Sequence, residues 1–123
     1  MKLTNNFNLS EFTSHDGAAF PPEVIVNLTK LAKNLQVIRD HTGKSVTVNS
    51  GYRSPAHNKK IGGVANSQHV LGKAADITIT GLTPPMVKEL LENLIKAGKI
   101  INGGIGLYPA FVHYDIRNKS ARW

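Results

Sequence analysis

The sequence predicts an α+β fold in which two main helices pack on a small antiparallel sheet of about four strands, leaving one face open. Three observations predict it. Apolar residues recur at helical spacing from Val24 to Ile38 and again from Met86 to Ile95. Short alternating or β-branched runs stand at 45–49, 75–80 and 111–117, with a glycine-rich run at 103–108. The chain has 123 residues, which predicts one domain over 1–123 and no more. A chain of that length can bury about two thirds of its unfolded surface, so it needs no covalent staples.

Residues 1–20 are polar and irregular, with a short turn of helix at Ser10-Glu11-Phe12; Phe7, Leu9 and Phe12 should pack onto the body. His15 and Asp16 lie here, and a loop histidine is ordinarily exposed. Pro21-Pro22-Glu23 opens the first helix, because proline suits a first turn and an acid suits the positive end. Val24, Leu28, Leu31, Leu35 and Ile38 form its buried stripe; it runs to about Asp40 and Gly43 closes it. His41 stands near its negative end, where an imidazolium is favoured.

Ser45–Asn49 reads as a strand that delivers Ser50-Gly51-Tyr52-Arg53-Ser54 to a loop. Arg53 is a candidate carboxylate clamp, since guanidinium presents a rigid two-pronged donor. Pro55–Gly63 reads as a short helix stopped by glycine; its His57 is a rival third ligand, expected instead in a supporting or packing role. Thr83 should cap the second helix, with Pro84 and Pro85 in its first turn. Met86, Val87, Leu90, Leu91, Leu94 and Ile95 should form its buried face, and Gly98 should end it. The glycines of 103–106 suggest tight turns or backbone brought close to a cleft. The tail from Arg117 to Trp123 is basic and its tryptophan ring can fold back on the body.

Chemistry concentrates in two stretches. In Ser67–Ile79, Gly72 lets the chain reverse between His69 and Asp76, and Ala75, Ile77 and Ile79 then alternate with Asp76, Thr78 and Thr80. In Phe111–Arg117, read as a strand, His113 and Asp115 share one face. Two histidines and one carboxylate leave one tetrahedral position open, which is the composition of a catalytic zinc site. The chain has no cysteine, so thiolate sites and disulfides are excluded.

Ser67, His69, Gly72, Ala74 and Asp76 match S-x-H-x-x-G-x-A-x-D. With Ser50–Pro55 upstream and the His113 block downstream, the chain resembles the zinc D-alanyl-D-alanine metallopeptidases, the superfamily that also holds the lysostaphin-type enzymes and the hedgehog domain. The resemblance covers roughly residues 7 to 123. It implies Zn²⁺ as cofactor, His69, Asp76 and His113 as its ligands, and Arg53 as the residue that holds the peptide substrate, with Ser67 and Tyr108 as further substrate contacts. It implies a peptidase that cleaves stem or cross-link peptides of bacterial peptidoglycan, as a D-Ala-D-Ala carboxypeptidase or an endolysin-type endopeptidase. Many relatives carry E-x-x-H or H-x-H at the last histidine; here those positions are Ala110 and Phe111, which cannot move a proton. Asp115 is the nearest replacement as general base, while orienting His113 or pairing with Arg117 are its other readings. The H-x-D form resembles a small phage and bacterial branch that also ends in Arg-Trp. Loss of the usual base supports a second reading, a zinc-containing but inactive wall-binding or protein-binding module.

The formal net charge is +7, which favours an anionic partner such as cell-wall polymer or nucleic acid. The lysines are spread over the chain and no nucleic-acid motif is present, so nucleic acid is not expected. No run has the length of a membrane helix, and the first residues lack the apolar core of a signal peptide. The expectation is a monomer, cytoplasmic until released to the wall, or carried on a virion.

Overall fold

The computed structural model describes all 123 residues. The N-terminal stretch is more regular than its polar sequence suggests: β1 (Lys2–Thr4) and β2 (Phe7–Asn8) pair antiparallel. A single 3₁₀ turn over Leu9–Phe12 follows, and Glu11 accepts the Asn8 N–H at 2.7 Å. Phe7 and Phe12 are completely buried, so this segment is fastened to the core rather than loose.

α1 (Pro22–Thr42) buries Val24, Leu28, Leu31, Leu35 and Ile38, the stripe that helical periodicity predicts. Gly43 ends it in the left-handed region at φ 66°, donating to Arg39 O. Each leucine so buried contributes about 1.5–3 kcal/mol. α2 (Pro55–Lys60) is short, and the Ser54 hydroxyl caps it by accepting the His57 N–H. α3 (Pro84–Lys96) buries Val87, Leu91 and Leu94.

Two expectations for α3 are corrected. Met86 is 47% exposed, because the buried row runs through Val87, Leu91 and Leu94 and Met86 stands one step round the helix from it. Thr83 occupies the cap position without a side-chain bond, and Pro85, standing where an N2 donor belongs, has no N–H to offer.

The main sheet has five strands rather than four: β3 (Val46–Ser50), β4 (Ala74–Ile79), β5 (Gly104–Leu107), β6 (Val112–Asp115) and β7 (Ala121–Arg122), in the order β3-β4-β6-β5-β7. All pairs are antiparallel except β5 with β7, which is parallel. The added strand is two residues long, too short to show alternation, and exists only through pairing with a distant partner. On one face Ala75, Ile77, Ile79, Ile105, Val112 and Tyr114 join a core cluster of 21 residues with the helices. Alternation then commits Asp76, His113, Asp115, Gly104 and Gly106 to the opposite, open face. No helix is long and apolar enough to cross a membrane.

Candidate metal centre

The sheet register makes the centre. Asp76 on β4 stands directly opposite His113 on β6, so their side chains are nearest neighbours across the sheet. His69 arrives from the loop before β4. That loop reverses at Gly72, whose φ is +76° and where a Cβ would come within 2.8 Å of Val24 on α1. Only glycine satisfies both conditions. The Ser67 hydroxyl accepts the His69 N–H at 3.2 Å and tightens the same turn.

Each imidazole is held by its remote nitrogen. His69 Nδ1–H donates to Gly51 O at 2.8 Å, leaving Nε2 facing Asp76 Oδ1 at 3.3 Å. His113 Nε2–H donates to Asp115 Oδ2 at 2.7 Å, leaving Nδ1 facing the same Asp76 oxygen at 3.4 Å. The two tautomers follow from those outer bonds. Candidate ligand atoms of His69, Asp76 and His113 all lie within 4.8 Å of one another, and all three residues are buried.

Two nitrogen lone pairs and a carboxylate converging on one point require a positive charge between them, either a proton or a metal ion. For zinc bonds of ~2.0–2.1 Å, a tetrahedron has edges of about 3.3–3.4 Å, so the Asp–His spacings fit that ion. Burial pushes the Asp76 carboxyl up, but the His113 and His69 imidazoles beside it outweigh that and hold its pKa at about 2. Burial alone would lower the His113 pKa; the Asp115 and Asp76 carboxylates beside it instead raise it above the usual imidazole value.

Asp115 stands behind His113, not beside the open side of the centre. It is completely buried. Its two oxygens accept His113 Nε2–H, the N–H groups of Gly104 and Arg117, and both prongs of the Arg117 guanidinium at 2.9 and 2.7 Å. Burial raises its pKa, and those bonds more than reverse this, so its carboxyl lies well below the usual carboxylate range. The carboxylate expected as general base is thus bonded to His113 and Arg117, the two other readings that the sequence left open for it. Sharing a strand face with His113 puts the two in contact, and the contact uses up the carboxylate.

The centre opens into a cleft of about 510 Å³. Arg53, Ser67 and Tyr108, the expected substrate contacts, all line it. Arg53 Nη1 donates to Asn58 Oδ1 at 3.2 Å, which steadies the guanidinium without neutralising it. Asp76 is the only carboxylate in the lining. Asp16 lies elsewhere, accepting from Ser14 and Ser54, and Glu11 closes its own turn, so neither adds a carboxylate to the lining. His15 and His57 pack edge to face at 5.9 Å, and neither belongs to the ligand cluster. Sequence reasoning missed the Gly51 carbonyl behind His69, the Asn58 brace on Arg53 and the entry of Trp123 into the cleft. The concluding Arg-Trp pair was the one visible signal for the last of these.

The family described as Peptidase M15 matches residues 2–115. The chain is 36% identical over 96 residues to the "Probable peptidoglycan L,D-endopeptidase MepK" of Haemophilus influenzae, covering 72% of this chain and 48% of that protein. It is 48% identical over 44 residues to the "Zinc D-Ala-D-Ala carboxypeptidase" of Streptomyces albus G, covering 35% of this chain and 17% of that protein. The chain therefore spans about half the length of the first relative and a small part of the second.

Proposed function

The chain belongs to the peptidase M15 family, and on that premise we propose that it is a zinc-dependent peptidase acting on stem or cross-link peptides of bacterial peptidoglycan. The observation that carries the reading is the convergence of His69 Nε2, His113 Nδ1 and Asp76 Oδ1 at the floor of a cleft lined also by Arg53. His69, Asp76 and His113 would hold the ion. Zinc, when bound, lowers the pKa of its water and polarises a scissile carbonyl.

The chain's own residues do the rest. Gly51 O and Asp115 fix the two imidazoles so that each presents a lone pair inward. Arg53 takes a peptide carboxylate bidentately and places the neighbouring amide over the centre. A lysin of phage type and an enzyme of wall remodelling would use the same parts.

A second reading has one observation in its favour: no carboxylate other than Asp76 lines the cleft, so no free base faces the substrate. On that reading the chain is an inactive, zinc-containing wall-binding module. Incubating the purified protein with muropeptides, with and without a chelator, and identifying fragments by mass spectrometry separates the two. Chelator-sensitive cleavage is expected; binding to muropeptides with no new fragments would establish the module instead.

A further inference from the structure

The chain has one tryptophan, and the fold spends considerable structure on placing it. β7 is fixed by Arg122, whose guanidinium bonds Glu92 from α3 at 2.8 and 3.0 Å and also donates to Gly103 O. Trp123 itself pairs with β5 in both directions: Leu107 N–H donates to Trp123 O at 2.8 Å, and Trp123 N–H to Ile105 O at 3.1 Å. The indole then lies on the open face of the sheet, against Gly106. A Cβ on Gly106 would come 2.5 Å from Nε1, so the strand has been cleared for this ring.

The ring is oriented as well as positioned. Nε1–H donates to Tyr108 Oη at 2.8 Å, and Tyr108 in turn stacks on Phe111 with centroids 4.7 Å apart. On its other side the indole stands 4.8 Å from the His113 imidazole, with the Arg117 guanidinium 5.5 Å from its centroid. Even so, the residue is 48% exposed. A large aromatic side chain held at four points, half open, and lining the cleft beside a candidate ligand is placed to touch whatever enters.

The sheet order says which part of the entrant it touches. The ligands Asp76 and His113 come from the central strands β4 and β6. Arg53 follows β3 at one edge, and Trp123 follows β7 at the other. A peptide whose carboxylate is held by Arg53 must cross the centre to reach Trp123. We propose that Trp123, braced by Tyr108, is a specificity-determining wall: it receives the residue on the far side of the scissile bond from the Arg53-bound carboxylate and selects a small or unbranched aliphatic side chain there. A β-branched or bulky side chain would meet the fixed ring before the backbone reached the ligands. This rests on the peptidase reading for the nature of the entrant.

The test uses zinc-loaded protein and synthetic peptides that differ only at that residue, carrying alanine, norvaline or valine. Wild type should prefer alanine and norvaline over valine. Trp123→Ala should raise KM for the alanine peptide about tenfold and erase most of that preference, with zinc content unchanged. Trp123→Phe should keep the preference. Gly106→Ala leaves the indole in the chain but displaces it, and should reproduce the Trp123→Ala profile. Unchanged KM and preference in both Trp123→Ala and Gly106→Ala would overturn the wall while leaving the peptidase reading intact. A second readout needs no activity: Co²⁺ added to metal-free protein should quench the single tryptophan, and bound Co²⁺ without quenching would overturn the placement. Quenching with no cleavage of any peptide by wild type would instead overturn the peptidase reading, and the substrate role of the wall with it.

Discussion

At Asp115 a carboxylate sits in full burial with five donors on its two oxygens. Such a group has no lone pair to offer a substrate-side proton, and its effect must pass through His113. Asp115→Asn keeps the shape and removes the charge that makes His113 Nδ1 a better donor to a metal. Zinc affinity should fall about 10–100-fold, measured by competition with a chromogenic chelator. Full affinity with a collapsed rate would return Asp115 to the role of base. Arg53 is the opposite case, a cation with one neutral partner, Asn58, facing the cleft. Arg53→Lys keeps the charge and loses the planar fork, so kcat/KM on peptides with a free C-terminus should drop about tenfold or more at unchanged zinc content. Equal efficiency on those peptides would show that no carboxylate binds there.

Among the elements, β5 flanks β6 with glycine at both of its open-face positions, Gly104 and Gly106. At Gly104 a Cβ would lie 2.3 Å from Asp115 Oδ2 and 3.0 Å from Arg117 Nη2. Gly104→Ala must therefore displace the carboxylate that holds His113, and it should cost about 1–3 kcal/mol of stability together with weakened zinc binding. Thermal unfolding and chelator competition on the same variant check both; a stable variant with native affinity would mean Asp115 has room to move. The N-terminal segment is tied to α2 through Asp16, which accepts from Ser14 and Ser54 hydroxyls at 2.6 Å each and from Ala18 N–H. The Ser14 bond first, then Ser54, pulls its pKa from 3.8 to about 2. A carboxylate with a lowered folded pKa stabilises above its unfolded value and ceases to do so as pH falls through the folded value. Stability should thus decline as pH drops from about 4 to about 2, and Asp16→Asn should flatten that decline. Identical slopes for the two proteins in acid titrations of thermal unfolding would remove Asp16 from the account.

At the scale of the whole molecule, the centre joins a loop, β4 and β6. A metal that binds the folded state alone stabilises it by about 4 kcal/mol at a thousandfold excess over Kd. For a domain of this size, removing it should lower Tm by about 10 °C or more. Calorimetry before and after chelation checks this, with a His69→Ala, Asp76→Ala or His113→Ala variant expected to show no response to zinc. A wild-type Tm indifferent to chelator would mean that the three residues do not hold the ion.

The sequence by itself determined what depends on near neighbours. The stripe of α1 and its glycine stop, the reversal at Gly72, and the chemistry of His69 and Asp76 all follow from periodicity, φ preferences and a ten-residue pattern. Tertiary structure alone decided what depends on register. That Asp76 faces His113, that Asp115 is consumed by Arg117 and Gly104, that a fifth strand forms at Ala121–Arg122, and that Trp123 enters the cleft are all outcomes of pairing between distant segments. Side-chain type tells which atoms can donate or accept. Which partner they meet is fixed only when the core face of each strand is buried, because burying Ile77, Val112 and Ile105 leaves one register for everything on the other side.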